Sequence, residues 1–327
     1  MAQLADIKKR MHSVAAIGKM TKAMQLISSV KMRRARRLFE QALPFFSHSL
    51  AGLLDLLAKY PHLTSPFFHN RDKKPGDAWH ILIFVMTSDR GLAGTYNTDV
   101  VKAARILIAD RSRAAEDRGL KAALDIRVMG RVGRELLLAE GYPVDPHYAF
   151  SINEPDYYEA ADLSERILNR YADGLVDEVY MVYTEVLSPL VRRPIYTKLL
   201  PADPAGLQYL FADLKDLPAA KLSPEEVHFG EAENLDFEHL EDINLMLSYF
   251  YSTALSGLVY GALTEAYTGE QTARMSSMDS ASKNSRQLLA DLERSRNRLR
   301  QAQITTELTE IISGAESLKD KVKNGEG

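Results

Sequence analysis

After Pro224 the chain carries no further proline to its end at Gly327, and that absence constrains the fold more than any other feature. Over 236–318 apolar residues recur at three- and four-residue steps. Leu255, Leu258, Ala262 and Ala266 form one run; Leu288, Leu292, Leu299 and Ala302 continue it; Leu308, Ile311, Ala315 and Leu318 end it. Val259, Leu263 and Ile312 fit a neighbouring frame, so the apolar face is broad near both ends. This spacing is one face of a helix. About 80 helical residues at ~1.5 Å each span on the order of 120 Å, well beyond the diameter of a small domain. Part of such a helix must project, and its apolar face then requires a partner.

The first 60 residues supply one. Ile7, Met11 and Val14, then Ile17, Met20, Met24 and Ile27, make a second helical stripe, with Gly18 the only glycine before Pro44. A long helix is expected over 1–60, bending at Pro44 where a backbone donor is lost and ended by Pro61. The two terminal helices are expected to pair as an antiparallel coiled coil.

The region 77–235 has a different period. Ile81–Met86 is a short, continuously apolar run that enters the turn Ser88-Asp-Arg-Gly-Leu-Ala-Gly94. Further strands are expected at 125–129, 178–186 and 195–200, the last two joined through Ser188-Pro189, with helices at 98–118, 131–139 and 155–171. Strands alternating with helices imply an α/β layered, Rossmann-like domain. Residues 201–234 contain Pro201, Pro204, Pro218 and Pro224 among many acids, and are expected to form a surface excursion. A tail over 319–327 is expected to be disordered.

The composition, 46% hydrophobic and 26% charged, supports a buried core. No run approaches the ~18 apolar residues of a membrane span. The absence of cysteine excludes disulfides, thiolate metal sites and a cysteine nucleophile. The net charge of −3 hides an asymmetry. Lys8, Lys9, Arg10, Lys19, Lys22, Lys31, Arg33, Arg34, Arg36 and Arg37 face a single acid, Asp6, in the first 37 residues. A basic arm on an acidic body points to a negative partner: nucleic acid, anionic lipid or an acidic protein surface. Against nucleic acid, the arm shares its helix with an apolar stripe and has no aromatic residue before Phe39 to stack on bases.

The Ser88–Gly94 turn sits where phosphate loops sit, but lacks the Lys-Ser or Lys-Thr that such a loop requires. Gly91 and Gly94 are therefore read as serving a tight turn and close helix–strand packing. The histidines make no metal-ligand spacing. Glu307 and Glu310 lie close on a helix, where solvation is the simpler reading. No catalytic residue, cofactor or metal is expected.

Two long motifs go further. Asp6-Ile-Lys with Ile17-Gly-Lys-Met-Thr-Lys-Ala-Met-Gln-Leu-Ile-Ser-Ser-Val-Lys-Met-Arg-Arg-Ala35 resembles the amino-terminal helix of ATP synthase gamma subunits. Glu265-Ala-Tyr-Thr-Gly-Glu-Gln-Thr-Ala-Arg-Met-Ser-Ser-Met278 and Asn297–Gly314 resemble that family's carboxy-terminal helix. Ser88–Gly94 with Asn97 resembles its first strand-turn, except that Ala93 stands where many relatives have cysteine. The resemblance implies a non-catalytic, rotating central stalk, turning inside a hexamer of three alpha and three beta subunits. It implies the epsilon subunit and the c-ring as further partners, and peripheral attachment to the cytoplasmic side of a membrane. Lys22 and Met24 match positions facing the acidic tips of beta; Arg274, Gln301 and Thr305 match positions meeting a loop of beta, with Arg300 and Glu307 as neighbours. With no leader before the first helix, a bacterial chain is expected. A nucleic-acid-binding coiled coil using the basic arm is the alternative reading.

Overall fold

The computed structural model describes residues 2–60, 65–68, 70–148, 150–188, 191–203, 206–207 and 240–323. Helix α1 spans Ala2–Lys59. Strand β1 (Ala78–Met86), helix α2 (Tyr96–Asp117), strand β2 (Lys121–Met129), helix α3 (Arg131–Ala139), helix α4 (Tyr157–Ala172) and strands β3 (Glu178–Val186) and β4 (Arg192–Leu200) follow. Helix α5 spans Leu240–Lys323, 84 residues, so it runs past Leu318 instead of giving way to a tail there. Most of the 201–234 excursion, Pro61, Pro189 and residues 324–327 lie outside the described residues. Pro44 does not interrupt α1. Its carbonyl accepts from the Ser47 hydroxyl at 2.9 Å and meets His48 Nδ1 at 2.6 Å.

The chain divides into two compact units, one of Met1–Ile27 with Ser276–Gly327 and one of Ser28–Met275. In the first, α1 and α5 run antiparallel. A Cβ placed on Gly18 would stand 3.4 Å from the Ser285 Cβ, while the Gln25 amide donates to Asp279 at 3.0 Å. Ile7, Met11 and Val14 are half-buried, in keeping with the stripe. Further along, the stripe drifts. Thr21 and Ser28 are buried and Gly18 faces inward, whereas Ile17, Met20 and Ile27 are 51%, 65% and 55% exposed. On α5 the inner positions are Met278, Ser282 and Ser285, then half-buried Leu289, Leu292 and Leu299; Leu288, assigned above to the stripe, is exposed. Small residues let the backbones approach, and the larger apolar side chains are displaced outward. From Ile304 to Ala315 every residue of α5 is exposed.

The second unit holds the sheet, in the order β2-β1-β3-β4. β1 is parallel to β2 and to β3, with Ile83 opposite Ile126 on one side and Tyr180 on the other. β4 is antiparallel to β3 and closes one edge, Val182 lying opposite Tyr196. β1 is covered on both faces, which is why it reads as an unbroken apolar run. Leu82, Phe84 and Met86 share a core with α4, with Leu53 and Leu56 of α1, and with Leu247, Tyr251 and Leu255 of α5. Ile81, Ile83 and Val85 face the opposite core, built on Val100, Ala104 and Leu107 of α2.

In this unit too α1 and α5 are antiparallel. Gly261 lies against the Phe39 ring, Gly257 against Phe46 and Gly52 against Phe250. The closest is Gly257, where an added Cβ would come within 2.5 Å of the Phe46 ring. Further along α5 meets the sheet. The Val186 amide, at the end of β3, donates to Glu265 Oε2 at 2.9 Å. Burial holds the Glu265 carboxyl above the usual carboxylate range, against the Val186 N–H, which lowers it. From Ala266 to Arg274 every residue of α5 is buried.

Gly257→Ala is expected to cost about 1–3 kcal/mol through overpacking, read as a lower urea midpoint of the purified chain, with Phe46→Leu recovering part of it. Glu265 bears on pH. A carboxyl with a raised folded-state pKa destabilises the fold once ionised, so its cost grows as pH rises through the carboxylate range. Glu265→Gln keeps an oxygen for Val186 and removes that cost. Its urea midpoint at pH 7 is expected to exceed the parent's, and the difference to shrink on acidification.

Candidate functional site

The turn between β1 and α2 is held by side chains, and that determines what it can bind. The Ser88 amide donates to Asn97 Oδ1 at 2.9 Å, Asn97 Nδ2 donates to the Ser88 hydroxyl at 2.8 Å, and that hydroxyl donates to the Arg90 carbonyl at 2.8 Å. Leu92 (φ 66°) and Gly94 (φ 58°) occupy the left-handed region, which closes the turn and leaves Leu92 62% exposed. A Cβ on Gly91 or Gly94 would meet nothing within 4 Å, so the close helix–strand packing expected of this pair is not made by them. It is made next door. A Cβ on Gly133 would come within 2.3 Å of the Thr87 methyl, and the Gly133 amide donates to Thr87 Oγ1 at 3.1 Å.

A phosphate would need free backbone donors at this end of the sheet. Those of Ser88, Gly130, Arg131 and Val132 are already taken. Asp89 accepts from the Arg131 amide at 3.1 Å and from the Ser151 hydroxyl. The Val132 amide donates to the Ser88 carbonyl at 3.0 Å and the Gly130 amide to the Phe150 carbonyl at 3.2 Å. Among the described residues no group of acids and histidines converges as a metal site would require.

Arg274 lies against this turn. Its side chain is 9% exposed, its Nη1 stands 2.5 Å from Glu270 Oε1, and Glu270 is as deeply covered. Nη2 donates to the Arg90 carbonyl at 3.2 Å and reaches the Gly91 carbonyl at 3.5 Å. Burial pushes the Glu270 carboxyl up and the Arg274 guanidinium pulls it back down. The Tyr96 hydroxyl, fully buried, donates to the Ala266 carbonyl at 3.0 Å and to the Met86 carbonyl at 3.3 Å. Its pKa is well above the usual tyrosine value because of burial first and Glu270 second, so it remains a donor. The resemblance matches Arg274 to a position meeting a loop of beta; here its guanidinium is engaged inside its own chain, with Glu270 and the Arg90 carbonyl.

The remaining candidates lie in the unit of the two chain ends. Lys22 is exposed and donates to Gln25 Oε1 at 2.8 Å; Met24 is half-buried. Gln25 continues to Asp279, which pairs with Lys283 at 2.6 Å. Arg300, Gln301, Thr305 and Glu307 are all exposed, roughly 30–40 Å further along α5 than Asp279. The Thr305 hydroxyl bonds back to the Gln301 carbonyl at 2.9 Å, and Glu307 accepts from Gln303 at 2.9 Å. The structure thus separates the predicted residues into a lower group at Lys22 and Met24, an upper group on α5, and buried Arg274. Sequence reading did not single out Glu270, Tyr96, Thr87 or Gly133. Only the i,i+4 spacing of Glu270 and Arg274 marked the buried pair beforehand.

Similarity to known proteins agrees with this architecture. The family model described as ATP synthase matches residues 3–318. The ATP synthase gamma chain of Lachnoclostridium phytofermentans is 33% identical over 97% of this chain and 100% of its own length. That of Ruminiclostridium cellulolyticum is 32% identical over 97% and 99%. Among solved structures, a chain of the Tetrahymena thermophila mitochondrial ATP synthase central stalk and c-ring superposes with a TM-score of 0.53 at 19% identity, over 80% of this chain and 99% of that one. A chain of the Euglena gracilis mitochondrial ATP synthase gives 0.56 at 12% identity, over 100% and 97%. These structural likenesses speak to the fold; the full-length sequence matches place the chain in the ATP synthase gamma chain family.

Proposed function

We propose that this chain is a non-catalytic rotating shaft, coupling ion flow through a membrane rotor to ATP synthesis or hydrolysis in a surrounding hexamer of three alpha and three beta subunits. The observation that carries the reading is α5 from Ile304 to Ala315. Ile304, Leu308, Ile311 and Ile312 are 47%, 54%, 68% and 57% exposed there, and every residue between them is exposed as well. A lone, partly apolar helix of this kind requires an enclosing partner. Ile17, Met20, Leu26 and Ile27 add a second uncovered apolar face on α1. An epsilon subunit and a c-ring are the further partners, and attachment to the membrane is peripheral. No helix among the described residues is long and apolar enough to cross one.

The physical logic is differential affinity. An asymmetric rod cannot touch three equivalent subunits identically, so each orientation favours a different set of their conformations, and turning it cycles each site through those states. Lys22 and Met24 contact acidic tips of beta. Arg300, Gln301, Thr305 and Glu307 meet a loop of beta near the upper end. Arg274 is the third residue that the resemblance matches to a loop of beta, and its guanidinium is held at the Arg90 carbonyl. The nucleic-acid reading of the basic arm finds no support: the relatives are ATP synthase gamma chains, Arg34 pairs with Glu154 at 3.5 Å, and Arg36 pairs with Glu40 at 3.3 Å.

Native mass spectrometry of the chain purified gently from its own cells is expected to show one copy with three copies each of two larger subunits. A bare monomer or homodimer, with those subunits expressed, would remove the reading. Met24→Lys adds a positive charge to the basic arm and is expected to lower ion pumping per ATP hydrolysed several-fold in membrane vesicles. Gln301→Ala with Thr305→Ala is expected to slow ATP turnover of the assembled complex at least threefold; unchanged turnover would remove these residues from the contact.

A further inference from the structure

The three parallel strands change winding direction at β1, because β2 lies on one side of it and β3 on the other. In an open sheet of this kind, the gap outside the carboxyl ends of the two strands that flank the reversal ordinarily receives a ligand. Here the gap contains the chain's own helix. Glu265 accepts from Val186, the last residue of β3, at 2.9 Å. Tyr96, just after β1, donates to the Ala266 carbonyl at 3.0 Å. A Cβ on Gly269 would stand 3.1 Å from the Thr184 Cβ. Arg274 reaches the Arg90 carbonyl at 3.2 Å.

The composition of this stretch decides what the contact is for. An apolar helix would fill the gap without desolvating charge. Instead Glu270, Gln271, Thr272 and Arg274 are 7%, 5%, 0% and 8% exposed. Buried polar and charged groups are costly unless their partners are met with good geometry. Advancing α5 by one turn, about 5.4 Å, or rotating it in place would separate Arg274 from the Arg90 carbonyl and Glu265 from Val186. Apolar contacts tolerate small slippage; these do not.

We propose that the crevice at the ends of β1 and β3 is a clutch, in which Glu265, Gly269 and the Glu270–Arg274 pair fix the register and rotation of α5 against the sheet, so that torque entering one leaves by the other. They are positioning residues, and the proposal rests on the shaft reading above.

The test uses the assembled complex in inverted membrane vesicles. Glu270→Ala with Arg274→Ala removes both charges together, so neither is left buried alone. Ion pumping per ATP hydrolysed is expected to fall at least threefold, with the chain still present at one copy by native mass spectrometry. Into that background go Thr184→Cys and Gly269→Cys. The parent chain has no cysteine, and the positions are close to the ~3.5–4.5 Å Cβ separation a disulfide spans. Oxidation is expected to restore at least half of the lost pumping ratio, and reduction to abolish the gain. Restoration is not expected if Arg274 acts by touching another subunit. An unchanged ratio in the double-alanine chain, or a loss that oxidation does not restore, overturns the clutch. If the double-alanine chain fails to enter the complex, the same disulfide in the otherwise native chain decides. Pumping retained on oxidation supports a fixed register, and pumping lost on oxidation overturns it. Absence of the parent chain from any such complex overturns the shaft reading and the clutch with it.

Discussion

A helix of 84 residues has more side to cover than one neighbour can reach, and the way α5 is covered along its length organises the rest of the molecule. Within the sheet-bearing unit it is covered most fully from Ala254 to Arg274. Phenylalanine rings of α1 lie over its glycines, and the strand ends lie over its polar stretch. In the other unit it has α1 on one side only, and from Ile304 onward no residue through Ala315 is covered. Secondary structure is uniform over this length while burial is graded. Isolated helices draw most of their stability from tertiary packing, so the uncovered end is the part that depends most on what surrounds it.

The crevice at the ends of β1 and β3, where related architectures hold a ligand, is packed against the chain's own helix. The same elements that would cradle a dinucleotide are here: a central parallel strand, a tight turn with a left-handed residue, and helix starts beside it. Part of their hydrogen-bonding capacity is spent inward, on Asn97, Asp89 and Thr87, and Arg274, paired with Glu270, lies against the turn.

Much of this was legible in the sequence. The proline-free run gave α5, the unbroken apolar run at Ile81–Met86 gave a strand covered on both faces, and the alternation of periods gave the layered domain. What was not legible depended on distances between elements. Ile17, Met20 and Ile27 have helical spacing but face outward, because Gly18, Thr21 and Ser28 permit a closer approach than large side chains would. The burial of Arg274 was not legible, since a charged side chain on a helix is usually exposed; it requires Glu270 one turn back and two carbonyls from a turn far away in sequence. Close packing at Gly133 could not be separated from that at Gly91 without knowing where Thr87 lies.

The exposed threonines near the upper end of α5 have a consequence of their own. Thr305, Thr306 and Thr309 each donate their hydroxyl to the carbonyl four residues earlier, at 2.9, 3.0 and 2.8 Å. With its proton given to its own backbone, each hydroxyl has only acceptor capacity left to offer, and it lies among a methyl group and the side chains of Ile304, Leu308 and Ile312. Such a surface adheres weakly and without preferred direction. A wall sliding past it would meet low friction, with few hydrogen bonds to break and remake at each angular step.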